Sequence, residues 1–423
     1  MGKLKNCLDR LWFYLLFSLF LFPVFPTGIE TVLIICFTLL SILKEIFYRK
    51  KGQITFKRFC LFLALSSIFF IYIIGFFFST DSKVALGFIT RVLPIVLFPI
   101  IFGLFKNNLI NQQELKKLKL GYIVSTLIGL MYLNIDLSDI LYFKETPYWN
   151  IRQSIESISK VHGTYLSLWI GFAILLMLDI IRKEIKSLQK GFMFLIICII
   201  PYFFYWQSLI GARMPFAITI VLSIIYLILQ FKSTTRIAMV CVTLVTALFF
   251  LKTTKSGVAD RVQSVFNKNQ TFPEGDYSVE YKNISSEDIR KGIFYCSWIL
   301  IKESPLRGYG QGDVQSRLDA CYKQKFSSNV YQKFLYNTHN QYLQIFLSAG
   351  IFALIFFLTS LFAPLYIAYK KSDFILFSFI ILVMGCLMTE NLINRHDGII
   401  FYSLFNSILI FNIPKGNEEG VGT

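Results

Sequence analysis

Residues 341–369 read QYLQIFLSAGIFALIFFLTSLFAPLYIAY, and no charged side chain interrupts this run. A helix rises about 1.5 Å per residue, so the run is longer than the roughly 30 Å hydrocarbon core of a bilayer requires. The rest of the chain has the same character: 55% of its 423 residues are hydrophobic and the mean hydropathy is +0.60. The sequence therefore predicts a membrane protein built from spanning helices.

Similar apolar runs recur along the chain and predict about twelve spanning helices, which makes the fold class an all-α polytopic membrane protein. The runs lie at 11–26, 29–47, 59–78, 84–105, 118–134, 162–181, 191–208, 212–231, 236–251, 341–369, 374–390 and 398–413. Spans one to nine fill residues 1–251, spans ten to twelve fill 341–413, and residues 414–423 form a tail. No small-residue cleavage site follows the first run, so we expect a retained anchor.

The formal net charge of +17 is distributed in a way that sets orientation. Six Lys and Arg residues lie within 44–58, four within 106–119 and four within 182–190, all in short connections on one side of the predicted bundle. Short cytoplasmic loops are enriched in Lys and Arg, so both termini are expected in the cytoplasm and the protein in the inner membrane. The basic surplus is an orientation signal, and no nucleic-acid partner is expected.

Two predicted outside segments, 135–161 and 252–340, are long against otherwise tight loops. The second is a large extracytoplasmic, periplasmic loop between spans nine and ten. Within it, SSEDIRKG is typical of a helix start, with Ser285 or Ser286 as the cap, and predicts a helix that ends near Glu303. We therefore expect the loop to be ordered and partly helical.

Two of the eight cysteines, Cys296 and Cys321, fall in this large loop, and most of the others fall in membrane segments. An oxidising compartment permits a disulfide between the two loop cysteines. No regular cysteine spacing requires one, so the sequence leaves the pairing open.

Rare ionisable residues collect at the predicted outer face. The chain has three histidines, His162, His339 and His396, and all three map there together with Arg213 and Glu390. Ionisable groups at membrane depth are costly and are functional candidates by default. Each also fits a structural role, such as a snorkelling arginine or a histidine that caps a helix.

Two further patterns limit the chemistry. The stretch GYGQG at 308–312 follows no strand pattern, so we interpret it as a sharp chain reversal rather than a phosphate cradle. No early D-x-D pair is present to hold a divalent metal against a phosphate. The sequence favours chemistry without metal or cofactor, in which arginine supplies the positive charge for a pyrophosphate.

At this point the motifs resemble a known family. PLRGYGQGD at 305–313 and THNQYLQIFLSAG at 338–350 resemble the signature of the O-antigen ligase and O-antigen polymerase superfamily of bacterial membrane glycosyltransferases. In that signature an arginine-bearing helix precedes a glycine turn, and His-Asn opens the next span. The matching positions here are Arg290, Pro305, Gly308, Gly310, His339, Asn340, Leu343 and Gly350. Three further stretches, at 161–169, 211–216 and 389–409, are similar to other parts of the family.

The resemblance implies a GT-C-like membrane enzyme that transfers a glycan from an undecaprenyl diphosphate carrier to an acceptor hydroxyl, such as one on lipid A–core. It implies that His339 is the catalytic residue and that Arg213 and Arg290 bind the donor pyrophosphate. The active site would face the periplasm, among membrane lipids.

The same resemblance makes four further residues candidates for substrate binding: Asn340, Gln344, His162 and Glu390. Ligases and repeat-unit polymerases share these motifs, so the acceptor stays open between lipid A–core, a growing polysaccharide and another lipid. A lipid-linked oligosaccharide transporter is a third alternative. It is less favoured because the polar residues collect at one face and no internal repeat is visible.

Overall fold

The structure is a computed structural model of the chain, and every regular element in the part that it describes is a helix. The described residues are 2–48, 54–105, 107, 110–143, 148–184, 190–230, 272–273, 275 and 286–412. No strand occurs within these ranges, which agrees with the predicted all-α class.

The helices of the described residues are numbered here in chain order. They are α1 (Gly2–Phe20), α2 (Thr27–Tyr48), α3 (Phe56–Leu65), α4 (Ser67–Phe76), α5 (Ser82–Arg91), α6 (Pro94–Pro99), α7 (Gln112–Asp136), α8 (Tyr148–Ser159), α9 (Gly163–Glu184), α10 (Lys190–Ile210), α11 (Arg213–Gln230), α12 (Ser286–Glu303), α13 (Val314–Lys325), α14 (Val330–Lys333), α15 (Gln341–Lys370), α16 (Phe374–Leu387) and α17 (His396–Phe411).

Five helical units in this part of the chain are long and apolar enough to cross a membrane. They are Thr27–Tyr48, Ser82–Leu104, Gln112–Asp136, Gly163–Lys183 and Gln341–Lys370. Helices α3 and α4 together form a sixth candidate, bent by 55°. Shorter apolar helices, α11, α16, α17 and the second half of α10, complete the bundle.

Each predicted apolar run in the described residues overlaps one or more of the numbered helices: the first run overlaps α1, and the runs at 59–78 and 84–105 are each divided between two helices. The ninth run, 236–251, lies outside the described residues. The chain is therefore a helical membrane protein with five or six candidate spans in its described part, and the count of twelve stays a prediction.

Helix α9 lies at the centre of the bundle, where α7, α10, α11 and α16 all pack against it. Its residues 163–181 are all buried and nearly all of them are apolar, as expected of a helix surrounded by other helices. Gln207 of α10 fastens it by donating hydrogen bonds to the carbonyl of Ser167 at 2.8 Å and to the Thr219 hydroxyl at 3.2 Å. Because α9 is central, His162, immediately before it, lies at the middle of one end of the bundle.

Helix α15 is broken at Gly350, whose φ of +76° is a left-handed conformation that glycine adopts without steric cost. The break removes the helical donors from the carbonyls of Leu347 and Ser348. The backbone N–H groups of Tyr309 and Gly310 replace them, each at 2.8 Å. The glycine-rich turn therefore completes the hydrogen bonding of a helix distant in sequence.

We call residues 304–313 the clasp, because they join two other parts of the chain. The carbonyl of Pro305 accepts a 3.0 Å hydrogen bond from the N–H of Ile351, beyond the break. Asp313 accepts bonds from the Thr80 N–H at 2.7 Å, the Thr80 hydroxyl at 2.8 Å and the Asp81 N–H at 3.0 Å. The clasp thus links α15 to the turn between α4 and α5, and it reverses the chain between α12 and α13 as predicted.

Helices α12 to α14 pack around a second, smaller core, which includes Ile293, Leu318 and Tyr331 and to which α15 contributes Leu347. Helix α12 runs from Ser286 to Glu303 and confirms the predicted helix. A disulfide joins Cys296 of α12 to Cys321 of α13, with the two Cα atoms 5.8 Å apart. The pairing that the sequence left open is therefore made.

Candidate active site

His339 lies immediately before α15 and is not its cap. The cap is Asn340, whose side chain accepts a 3.1 Å hydrogen bond from the N–H of Leu343. His339 has a φ of +43°, which is uncommon for a residue with a side chain. Its own N–H donates to the Asn337 side chain at 2.9 Å. The histidine is therefore held in a strained turn, a feature that clusters at functional sites.

Glu390 is the acidic partner of His339. Its Oε2 lies 3.4 Å from His339 Nδ1, in the turn that follows the end of α16. Burial raises the pKa of Glu390, but the contact with His339 and the charges of His339, His162 and Arg395 outweigh burial and lower the pKa to about 2. The carboxylate is therefore ionised at neutral pH. It favours a proton on Nδ1 of the ring, which leaves Nε2 as the basic nitrogen.

A buried group of polar side chains fixes this pair. The Thr338 hydroxyl is in hydrogen-bonding contact with Asn391 Oδ1 at 3.0 Å and with Gln344 Oε1 at 3.1 Å. Asn391 also donates to Gln344 Oε1 at 3.4 Å. Thr338 precedes His339 and Asn391 follows Glu390, so this contact ties together the neighbours of the pair. We call Thr338, Gln344 and Asn391 the polar knot.

Arg213 begins α11, directly after a turn made by Gly211. That glycine has a φ of +66°, and its N–H donates to the Gln207 carbonyl at 3.2 Å, which ends α10. The Arg213 guanidinium forms an ion pair with Glu287, in the first turn of α12. Arg213 therefore joins the membrane helices to the α12–α14 segment. A guanidinium has five N–H donors, so pairing with one carboxylate is compatible with binding a further anion.

Arg290 lies on α12, three residues after Glu287. Burial lowers the pKa of Arg290, the charge of Glu390 opposes that shift, and the charge of Arg213 adds to it. These influences place Arg290 within electrostatic reach of both other groups. The structure thus brings Arg213, Arg290 and the His339–Glu390 pair to the same end of the bundle. Their chemical roles stay predictions.

Helix α8 contributes two charged residues that the sequence analysis did not select. Ile151 and Ile155 are buried, and Arg152 and Glu156 each follow one of them on the adjacent face. Arg152 Nε donates to Glu156 Oε1 at 3.1 Å, and the same oxygen lies 3.9 Å from His162 Nε2. The sequence signal that could have identified them is the i,i+4 spacing of Arg152 and Glu156, next to the equally spaced Ile151 and Ile155.

His162 lies immediately before α9 and next to Glu156. Burial lowers its pKa, and the carboxylates of Glu390 and Glu156 oppose that shift. Its Nδ1 accepts a 3.4 Å hydrogen bond from the N–H of Thr164. His162 therefore lies next to the charges of α8 and within the electrostatic influence of Glu390, and its role in substrate binding stays a prediction.

His396 belongs to a different pair. Its Nε2 lies 3.0 Å from Oε2 of Glu30, a carboxylate on α2 that is 2% exposed. The three histidines therefore do share one end of the bundle, but only His162 and His339 meet around Glu390.

Two predicted substrate-binding residues are already engaged within the protein. Asn340 donates to the carbonyl of Met388 at 3.1 Å besides capping α15, and Gln344 is part of the polar knot. Their roles in sugar binding stay predictions. Across the ranges that the structure describes, no group of three or more His, Cys, Asp or Glu residues is arranged to hold a metal ion.

This fold and this site define a class: a multi-pass helical membrane protein whose arginines, histidines and acids converge at one end of the bundle. Residues 209–358 match the family model described as O-Antigen ligase. The matched segment runs from the end of α10 into α15, and it is similar to the O-antigen ligase and polymerase superfamily, in agreement with the resemblance of the sequence motifs. Comparison with curated proteins found no match, and neither did comparison with solved structures.

Proposed function

We propose that the protein transfers a glycan from undecaprenyl diphosphate to an acceptor hydroxyl, such as one on lipid A–core, at the outer leaflet of the inner membrane and without a metal ion. The observation that carries this proposal is the His339–Glu390 pair, together with Arg213, which forms an ion pair with Glu287 on the helix that carries Arg290. The match of residues 209–358 to the family supports it, because that segment contains Arg213, Arg290 and His339.

The pair is suited to remove a proton from a hydroxyl. A carboxylate on Nδ1 orients a histidine ring and stabilises its protonated form, so Nε2 acts as a general base. In the proposed step, Nε2 of His339 accepts the proton of the acceptor hydroxyl. The acceptor oxygen then forms a bond to the anomeric carbon of the first donor sugar.

The bond from that carbon to the phosphate oxygen breaks in the same step, and polyprenyl diphosphate leaves with the electron pair. Arg213 and Arg290 would bind the diphosphate and stabilise the charge that develops on it, because arginine binds phosphate oxygens through charge-assisted, often bidentate hydrogen bonds. Positive charge supplied by arginine removes the need for a metal ion, so transfer should continue in EDTA.

The predicted orientation supports an outer-face reaction. Basic residues concentrate in short loops at the opposite side, so the positive-inside rule directs the site end of the bundle to the periplasm. The donor and the lipid acceptor are then both membrane-embedded substrates that reach the site from the same leaflet.

A ligase and a repeat-unit polymerase would use the same groups and differ only in the acceptor. We favour the ligase, and the two can be separated by deleting the gene and analysing surface glycans. Long chains stranded on the carrier are expected for a ligase, whereas single unlinked repeats would indicate a polymerase. An unchanged glycan profile would contradict both.

A further inference from the structure

We propose that a groove between α1 and α7 binds one anionic phospholipid, whose headgroup lies at the end of the bundle opposite the candidate active site. The two helices pack against each other, and the groove along them has a volume of about 800 Å³. That volume is within the roughly 300–1,000 Å³ of ligand-binding cavities. Both helices lie outside the segment 209–358 that matches the family, so the inference does not depend on the proposed function.

The groove has a polar end. Four charged residues line it: Asp9, Arg10, Glu114 and Lys117. Lys119, two residues after Lys117, has its Nζ 3.7 Å from Asp179, near the end of α9 that is remote from His162. The polar end is therefore remote from the candidate active site, and the predicted orientation places it at the inner leaflet.

The body of the groove is apolar. Phe17 of α1 and Val124 of α7 line it, and Val124 is 49% exposed. At Gly121 a Cβ atom would lie 2.8 Å from the Phe17 ring, so the glycine allows this ring to pack against the backbone of α7. The Ser125 hydroxyl donates to the carbonyl of Tyr122 at 2.9 Å and needs no polar partner from an occupant. The body is therefore suited to a hydrocarbon chain.

The length of the groove fits one leaflet. It extends from Arg10 to Leu21 along α1 and from Glu114 to Ile128 along α7, which is roughly 17 and 21 Å at a rise of about 1.5 Å per residue. Half of the hydrocarbon core is about 15 Å, so an acyl chain and its headgroup cover this distance. A spanning helix of a partner protein would need about 30 Å, and we therefore favour a lipid.

The two acids at the polar end already have partners. Asp9 Oδ1 lies 3.0 Å from Lys44 Nζ, and Asp9 Oδ2 accepts a 2.6 Å hydrogen bond from the Tyr48 hydroxyl. Glu114 accepts a 2.9 Å hydrogen bond from the N–H of Asn111, in the capping box that begins α7. A carboxylate in this position also offsets the positive end of the helix dipole.

The two cations at the polar end do not. Arg10 and Lys117 are exposed, and neither forms an ion pair with any residue that the structure describes. Together with Lys44, Asp9 and Glu114 they make three cations and two anions, a net charge of +1. An anionic phospholipid carries a net negative headgroup, whereas a zwitterionic one has no net charge. The polar end therefore discriminates in favour of the anionic lipid.

Photocrosslinking tests this inference. The crosslinker p-benzoylphenylalanine replaces Tyr14, which lines the groove and is 63% exposed. The full-length protein is placed in vesicles with equal parts of phosphatidylglycerol and phosphatidylcholine, and captured lipids are identified by mass spectrometry. The wild-type groove should capture phosphatidylglycerol about fivefold more often. Arg10→Gln with Lys117→Gln should bring the ratio close to one, and Arg10→Lys with Lys117→Arg should retain the preference.

Lys370→Gln with Lys371→Gln is the matched control. It removes two exposed cations from the predicted cytoplasmic end of α15, outside the groove, and should leave the capture ratio unchanged. An equal loss of preference in this control would overturn the inference, because it would indicate general attraction of the lipid to a basic surface. Equal capture of both lipids by the wild-type groove, or crosslinks mainly to a second copy of this chain, would also overturn it.

Val124→Trp tests the groove itself. Because Val124 is half-exposed, the larger side chain has room and occupies the groove without disturbing the core. Capture of both lipids should fall several-fold, while the melting temperature stays close to that of the wild type. Undiminished capture of phosphatidylglycerol would show that position 14 contacts only bulk lipid, and the inference would fail.

Discussion

The backbone N–H of Tyr309 donates a 2.8 Å hydrogen bond to the carbonyl of Leu347, which places the clasp inside the break of α15. The first turns of α15, Gln341 to Ser348, are therefore held at both ends. The clasp holds their C-terminal end, and the polar knot holds the end next to His339. The position of the proposed base thus depends on a turn that is thirty residues away in sequence.

Gly350→Ala should disrupt the packing of the clasp against the break in α15. Gly350 has a φ of +76°, and a Cβ atom there would overlap the carbonyl of Leu306. We expect a loss of at least about 2 kcal/mol in the free energy of unfolding, because both the backbone conformation and the close approach become unfavourable. Thermal unfolding of the purified protein measures this, and glycan transfer should fall with it.

Gly87→Ala is the control for that substitution. A Cβ at Gly87 would have no atom within 4 Å, and the residue lies inside α5. Alanine is favoured over glycine within a helix by about 0.5–1 kcal/mol, so stability should stay equal or rise. Equal stability of the Gly350 and Gly87 variants would contradict the role of the clasp.

Replacement of Cys296 and Cys321 together by serine should destabilise the α12–α14 segment. The two cysteines are 25 residues apart, and closing a loop of that length stabilises a folded state by roughly 3 kcal/mol. Limited proteolysis should cut the variant faster within α12 or α13. Cys7→Ser, which removes an exposed free cysteine, is the control. Identical cleavage rates in all three proteins would show that the disulfide contributes nothing.

Glu390 should make stability dependent on pH in the acid range. Its pKa is lowered from 4.5 to about 2 in the folded protein, so its stabilising contribution is complete above about pH 4.5 and is lost as pH falls towards 2. Melting temperature measured across this range should fall less steeply for Glu390→Gln. A residual slope is expected from Asp313, because hydrogen bonds from Thr80 and Asp81 also lower its pKa, against the effect of burial. Parallel curves for the variant and the wild type would argue against an ionised Glu390.

Arg213 and Glu287 form one ion pair but should differ in catalysis. If Arg213 stabilises the leaving diphosphate, Arg213→Ala should reduce the transfer rate by about 10² or more. Glu287→Gln removes the partner and leaves the guanidinium, so its rate should fall less than about tenfold. Transfer rates of the two variants, compared at matched melting temperatures, separate the two roles. Equal losses would mean that Arg213 only anchors α12.

Much of this architecture could be predicted because short stretches of sequence determine it. Apolar runs located the helices, and SSEDIRKG located the start of α12 within a residue. The predicted convergence of Arg213 and Arg290 near His339 followed from topology and from the resemblance to the family, since all three were expected at one face.

The remaining features depend on contacts between segments that are distant in sequence, and hydrophobic periodicity does not predict such contacts. To predict the break at Gly350, one would need to know that the N–H groups of Tyr309 and Gly310 replace the helical donors. The partner of Glu390 could not be chosen between His339 and Arg395 from spacing alone. The position of Glu156 beside His162 likewise depends on a contact between segments, the 2.8 Å hydrogen bond that its Oε1 accepts from the N–H of Gly163.

The most direct measurement of the central claim is the rate of glycan transfer from undecaprenyl diphosphate by purified His339→Ala. Loss of a general base should lower the rate by about 10²–10⁴ while the melting temperature stays close to that of the wild type. His396→Gln is the matched control: its histidine pairs with Glu30 on α2, so transfer should persist even if stability falls. Wild-type transfer by His339→Ala would contradict the account.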